Sequence, residues 1–385
     1  MTNINESLKT KPKSKRIFYF DLLRALAISF VILFHISHRT SPLILGSGAI
    51  CEYHSFSWGL NLLMLSCCKV GVPLFLILSG ALSLGRDWSI RPFLEKRLPR
   101  ITFPFLFWGF VLSTIIALMV WNVPSIFPNS TLKGLNTILT GNLSGYINFV
   151  IGYYMANVYT SYPYWFFWMI FGIYLIMPVF NKWIFNSELT EVEYFLFFWL
   201  ITCVFDFTLG FEFPIKLNYF ISPMGLVVLG YYLRYTERSI LNNQYFALFL
   251  MLFGFVANFI LSYLYATPTE FFEFGQYSIF TTIAVIGLFL LFKNFSKFNI
   301  NLNFISNPNG IFKKFTFLIS KNSYGMYLCH SFILAMIYNL INIYFPASPY
   351  YYRVVVIFVL TILLSCGIVD LLGRIPGLDK LAGSK

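Results

Sequence analysis

The feature that most constrains this chain is a succession of long, almost uncharged apolar stretches separated by short polar segments. A helix needs roughly 20 mostly apolar residues to cross about 30 Å of hydrocarbon. Ten stretches qualify, near residues 17–38, 57–84, 101–122, 163–183, 192–211, 217–235, 244–266, 274–293, 323–344 and 350–373. The sixth is the least apolar. The second is long enough to tilt, or to break at Pro73. Only 11% of residues are charged, against about 25% in soluble domains, so lipid must solvate much of the surface. The expected fold is an all-α membrane protein, a polytopic bundle of about ten transmembrane helices with both termini cytoplasmic.

The net charge of +12 would suggest nucleic acid in a soluble protein, but here the basic residues lie between the apolar runs. With a cytoplasmic N-terminus, the inner side collects Lys9, Lys11, Lys13, Lys15, Arg16, then Arg86, Arg91, Lys96, Arg97 and Arg100. Lys182, Arg234, Arg238, Lys293, Lys297, Lys313, Lys314, Lys321, Arg374, Lys380 and Lys385 join them. The outer side holds Arg39, Lys133, Lys216 and Arg353, while Arg24 and Lys69 fall inside spans. This asymmetry matches the positive-inside rule, and loss of one middle span would scramble it.

The basic N-terminus followed by an apolar run superficially resembles a signal peptide. No small-residue cleavage site follows, and the run carries Asp21 and Arg24, so we read it as an uncleaved first span. The division expected is a basic cytoplasmic tail over 1–16, a membrane domain over 17–375 and a cytoplasmic tail over 376–385. The loop 123–162 is polar and aromatic and suits the outer face; 294–316 suits an irregular inner cap. Cysteines 51, 67, 68, 203, 329 and 366 show no metal-ligand spacing and the histidines no HExxH pattern, so no metal is expected.

Ionisable residues within a span are costly and need a reason. The first span holds Asp21, Arg24 and His35. Eleven helical steps from Arg24 to His35 return to nearly the same azimuth and cover roughly 16 Å along the axis. Asp21, one turn before Arg24, and His38, one turn beyond His35, extend the same stripe. Asp21 and Arg24 could simply pair with each other. An imidazole deep in a span is harder to explain by packing, and its ordinary pKa of about 6.5 suits general base work.

Several motifs then follow in order. The first span reads Arg24-Ala25-x-Ala27…Val31…His35, and the second Gly71-Val72-Pro73-Leu74-Phe75-Leu76-Ile77-Leu78-Ser79-Gly80-Ala81-Leu82. Lys96-Arg97-Leu98-Pro99-Arg100-Ile101…Pro104…Trp108 leads into the third, and Tyr164-Trp165-Phe166…Tyr174-Leu175-Ile176-Met177-Pro178 forms the fourth. Near the end stands Ser323-Tyr324-Gly325-Met326-Tyr327-Leu328-Cys329-His330. This ordered set, from about 17 to 373, resembles the acyltransferase-3 family of bacterial integral-membrane O-acyltransferases, in its stand-alone form that acetylates surface polysaccharides. Lys96 departs from the arginine that many members carry there, which keeps the charge but weakens a bidentate grip. The fifth to eighth spans carry no family signature.

The resemblance implies a multi-pass enzyme of the bacterial cytoplasmic (inner) membrane. It would transfer an acyl group, usually acetyl from acetyl-CoA, to a hydroxyl of a cell-surface glycan or its lipid-linked precursor, with membrane lipids around it and neither metal nor nucleic acid involved. His35, Arg24 and Asp21 are the catalytic candidates for this reaction: His35 fits as base, and Arg24 acts nearer the donor. CoA phosphates would meet Lys96, Arg97 and Arg100, for which plain topology is the competing explanation. Ser79, Tyr327 and His330 are further donor-site candidates. Gly80 is read as helix packing, and His330 equally as a hydrogen-bonded packing residue. Asp206, Glu212, Glu270 and Glu273 either hold sugar hydroxyls or form a solvated rim. A transporter or flippase for a polysaccharide precursor is the alternative, but it predicts inverted repeats and paired broken helices, and neither is visible. A non-catalytic partner of a polysaccharide synthase is a third reading.

Overall fold

The computed structural model describes residues 17–40, 54–122, 143–211, 213, 215, 217, 220, 223–267, 271–295 and 310–384. The expectations for the basic tail, Cys51, Glu212, Lys216, Glu270 and loop residues 123–142 and 296–309 lie outside these residues. Every regular element among the described residues is helical. Among the described residues, eight helical segments are long and apolar enough to cross a membrane. They correspond to the expected spans except the sixth and eighth, which are the shorter helices Met224–Tyr235 and Ile279–Lys293.

The chain divides into two compact units, Met1–Phe93 with Ile176–Ser320, and Leu94–Leu175 with Lys321–Lys385. The first unit is built on α1 (Phe18–Thr40), which is buried on most sides by Leu23, Ala27, Ile28, Val31, Ile32 and Ile36. The second expected span is α2 (Phe56–Cys67) and α3 (Gly71–Ser83), joined by a 3-10 turn over Cys68–Val70. The break thus falls just before Pro73, not at it. Pro73 sits in the first turn of α3, where the missing N–H has no intrahelical partner to lose.

Glycines set how closely the helices of this unit approach. A Cβ on Gly71 would stand 2.8 Å from Val31 Cγ2 and 2.9 Å from the Ala27 carbonyl oxygen, so α3 starts against the backbone of α1. α8 (Met224–Tyr235) follows α6 (Trp165–Asn186) and α7 (Leu189–Val204), with α4 (Ile90–Asn122) and α5 (Leu143–Tyr154) earlier in the chain. Gly80 of α3 lies on the Val227 carbonyl, and Gly230 of α8 lies on the Ile77 carbonyl. α9 (Gln244–Tyr265) and α10 (Ile279–Lys293) repeat this device: Gly254 faces Ala284 N, and Gly287 faces Met251 N. Only residues without side chains let helix backbones touch in this way. After α7 the chain makes a π-helical turn over Phe205–Leu209. Thr208 Oγ1 there donates to Cys203 O at 2.6 Å and accepts from Ile279 N at 2.9 Å, tying this turn to the start of α10.

In the second unit, α4 carries the basic segment and continues unbroken into its apolar length, with Pro99 and Pro104 inside it. The outer-loop expectation is replaced in part by structure: α5 occupies 143–154 and a 3-10 segment Tyr159–Tyr164 leads into α6. Tyr154 Oη donates to Leu106 O at 2.6 Å, and the Phe105 and Phe167 rings stack at 3.6 Å. α11 (Ile311–Tyr344), whose first ten residues belong to the first unit, begins well before the expected 323, because neither glycine nor proline occurs between Gly310 and Ser323. It precedes α12 (Tyr350–Leu372) and α13 (Asp379–Ala382). In the segment expected as a tail, Ala382 O accepts from Trp108 Nε1 at 3.1 Å and packs on Gly325. Near it Asp370 receives Lys321 Nζ at 3.3 Å and Arg374 Nη2 at 2.7 Å.

Candidate functional site

The polar stripe expected on the first span exists as part of one unbroken helix, α1. Asp21 stands in its first turn, where a carboxylate suits the helix dipole. It is 4% exposed, and burial of a charge demands partners. Arg24 Nη1 lies 3.6 Å from Asp21 Oδ1. Ser320 of α11 completes the group, donating to Asp21 Oδ1 at 2.7 Å and accepting from Arg24 Nη1 at 3.2 Å. The pairing of Asp21 with Arg24 is therefore real, and a hydroxyl bridges it. Ser320 carries no mark in the sequence that separates it from other serines.

His35 follows on the same helix, half-buried, with its ring 5.5 Å from that of Phe34. One turn on, His38 is exposed, and its Nε2 lies 3.8 Å from Glu273 Oε1. Glu273 in turn takes Lys69 Nζ at 3.0 Å, and the same ammonium donates to Phe274 O at 3.0 Å and sits 5.7 Å over the Phe34 ring. Burial acts to raise the Glu273 carboxyl, but His38 and Lys69 outweigh it and hold the group below its usual range. Glu273 is thus a partly buried ion-pair partner and not a solvated rim acid. Lys69, counted in the sequence only as a charge within a span, is the residue that makes it so.

Ser79 is half-buried on α3, one residue before the Gly80 crossing, and its hydroxyl bonds to no described residue. Gly80 serves close packing, as expected. In the second unit, Lys96 and Arg100 are exposed on α4 and Arg97 is half-buried. Tyr327 is 3% exposed; its hydroxyl donates to Pro163 O and its ring lies 5.1 Å from Phe166. His330 is 0% exposed, with Nδ1 2.7 Å from Tyr327 O. That geometry is the packing alternative for His330. The site candidates therefore fall into two groups, with Asp21, Arg24, His35 and Ser79 in the first unit and Lys96, Arg97, Arg100, Tyr327 and His330 in the second. No group of three or more His, Cys, Asp and Glu side chains among the described residues could hold a metal ion.

With this arrangement in view, comparison with known families is decisive: the family model described as "Acyltransferase domain" matches residues 17–370. The chain belongs to this family. No curated protein and no solved structure matches it. The match covers nearly the whole described length, so both units belong to the acyltransferase domain, and the chain is a membrane acyltransferase. The acyltransferase family implies an acyl donor and an acceptor, and the question passes to which residues meet each of them.

Proposed function

We propose that this acyltransferase moves an acetyl group from acetyl-CoA, supplied on the cytoplasmic side of a bacterial inner membrane, to a hydroxyl of a cell-surface glycan or its lipid-linked precursor. The observation that carries the reading is the layout of α1. A braced Arg24 stands at one end and His35 stands eleven residues further along the same unbroken helix.

A thioester is already activated, so the protein must chiefly orient an alcohol and take its proton. In this reading His35 removes the proton of the acceptor hydroxyl while its oxygen attacks the thioester carbonyl. The C–S bond then breaks, the CoA thiolate leaves and takes up that proton from the imidazolium, and an O-acetyl ester remains. Arg24 is about 16 Å from His35 along the axis, too far to serve the oxyanion and better placed to hold the donor. An extended acyl arm of about 20 Å covers that distance. Asp21 and Ser320 are positioning residues that fix the guanidinium. The free hydroxyl of Ser79 is available to the donor arm, while Lys96, Arg97 and Arg100, which belong to the other unit, keep the topological role that competes with phosphate binding. Tyr327 and His330, being sealed, act through packing.

The test is mass analysis of surface glycans from cells with and without the chain. Loss of acetyl esters in its absence is the expected result, and a succinyl mass in their place would change the donor. Identical glycans in both cells would refute the reading.

A further inference from the structure

The first three residues of α1, Phe18–Phe20, carry two cations that the reading above does not use. Arg234, at the end of α8, lies with its guanidinium 5.2 Å from the Phe20 ring centroid and 5.0 Å from that of Tyr235. Lys313 Nζ stands 5.3 Å over Phe18. Both side chains are half-buried. Among the described residues neither has a carboxylate within ion-pair distance, whereas in the same unit Arg24 has Asp21, Lys69 has Glu273 and Arg238 has Glu193.

A half-buried cation without a counter-ion is costly, and aromatic faces offset only part of that cost. Helix capping explains one contact: Arg234 Nη1 donates to Ala81 O near the end of α3, which leaves most of its planar fork of donors unassigned. Capping does not explain Lys313, which stands in the first turn of α11, where the helix dipole disfavours a cation. Topology explains a lysine on the inner side but not its placement over a ring. What the pair lacks among the described residues is an anion.

We propose that this end of α1 receives the phosphate-bearing end of the acyl-CoA donor, with Arg234 and Lys313 as its phosphate ligands. The inference rests on acyl-CoA being the donor. Length agrees with it. From Phe20 to His35 is fifteen residues of one helix, or about 22 Å, close to the reach of an extended pantetheine arm, and Arg24 lies along the way. A guanidinium held between rings keeps the fixed fork that matches phosphate oxygens.

The experiment is equilibrium binding of radiolabelled CoA, with pantetheine as a competitor that lacks the phosphates. It uses the full chain in nanodiscs of neutral phosphatidylcholine. Arg234→Gln and Lys313→Gln should each weaken CoA binding at least fivefold and leave pantetheine unchanged, while Lys314→Gln, at the exposed neighbour, changes neither. A loss of CoA affinity below fivefold in both variants would overturn the proposal. So would an equal loss for CoA and pantetheine, which marks a disturbed fold. Wild-type protein that binds no CoA would refute the donor reading itself, a result distinct from either of these.

Discussion

Ser320 donates its hydroxyl hydrogen to Asp21 Oδ1 across 2.7 Å, joining residues 299 positions apart, and the same oxygen accepts from Arg24 at 3.2 Å. The buried carboxylate thereby keeps both a counter-ion and a neutral donor. The guanidinium is held in one orientation at the start of α1.

Ser320→Ala should therefore destabilise the first unit by about 1–3 kcal/mol, the usual cost of stranding a buried acceptor. Ser320→Thr should recover most of this. Thermal midpoints in detergent give the comparison. The KM for acetyl-CoA should rise in the alanine variant, since Arg24 loses its brace.

Gly80→Ala and Gly230→Ala should each cost at least about 1–3 kcal/mol, because the new methyl meets a carbonyl of the opposing helix and backbones must separate. Gly152→Ala in α5, where a Cβ meets nothing within 4 Å, is the control. It should be neutral, or stabilising by about 0.5–1 kcal/mol. Yield and thermal midpoint of the folded protein distinguish them.

Lys69 and Glu273 should behave as a coupled pair. Glu273→Gln leaves Lys69 partly buried without its anion and should cost about 3–5 kcal/mol at most, since the pair keeps some exposure. Adding Lys69→Met should return much of that loss. A double variant as unstable as the sum of the singles would contradict the pairing.

Glu273, held by His38 and Lys69, also sets an acid limit. The folded state holds the Glu273 carboxyl below its usual range, so its contribution is present above the unfolded value, about 4.3. It is lost as pH falls through the lower folded value. The thermal midpoint should drop below about pH 4, and Glu273→Gln should flatten that part of the profile.

Much of this was legible in the sequence because hydrophobic length and the placing of charge are local properties. α1 was expected over 17–38 and runs over Phe18–Thr40, and the Asp21–Arg24 pairing follows from a three-residue spacing. Gly80 was readable as a packing residue, though not its partner Val227. Contacts across the chain were not readable: Ser320 reaches Asp21, and Glu273 reaches Lys69, only through the tertiary fold. The helices described within the sixth and eighth apolar stretches, α8 and α10, are shorter than the stretches themselves. α8 begins only after Pro223, and α10 only at its Ser278 cap. Arg234 looked like one more inner charge, since nothing local shows that Phe20 and Tyr235 would bracket it.

The most direct test of the account is acetyl transfer by His35→Ala. The measurement uses purified protein in liposomes, radiolabelled acetyl-CoA, and surface glycan from cells lacking the chain as acceptor. The wild type should label the glycan, and the variant, with an unchanged thermal midpoint, should be at least about 100-fold slower, the smaller end of what a general base contributes. Transfer by the variant at the wild-type rate would contradict the assignment of the reaction to this helix.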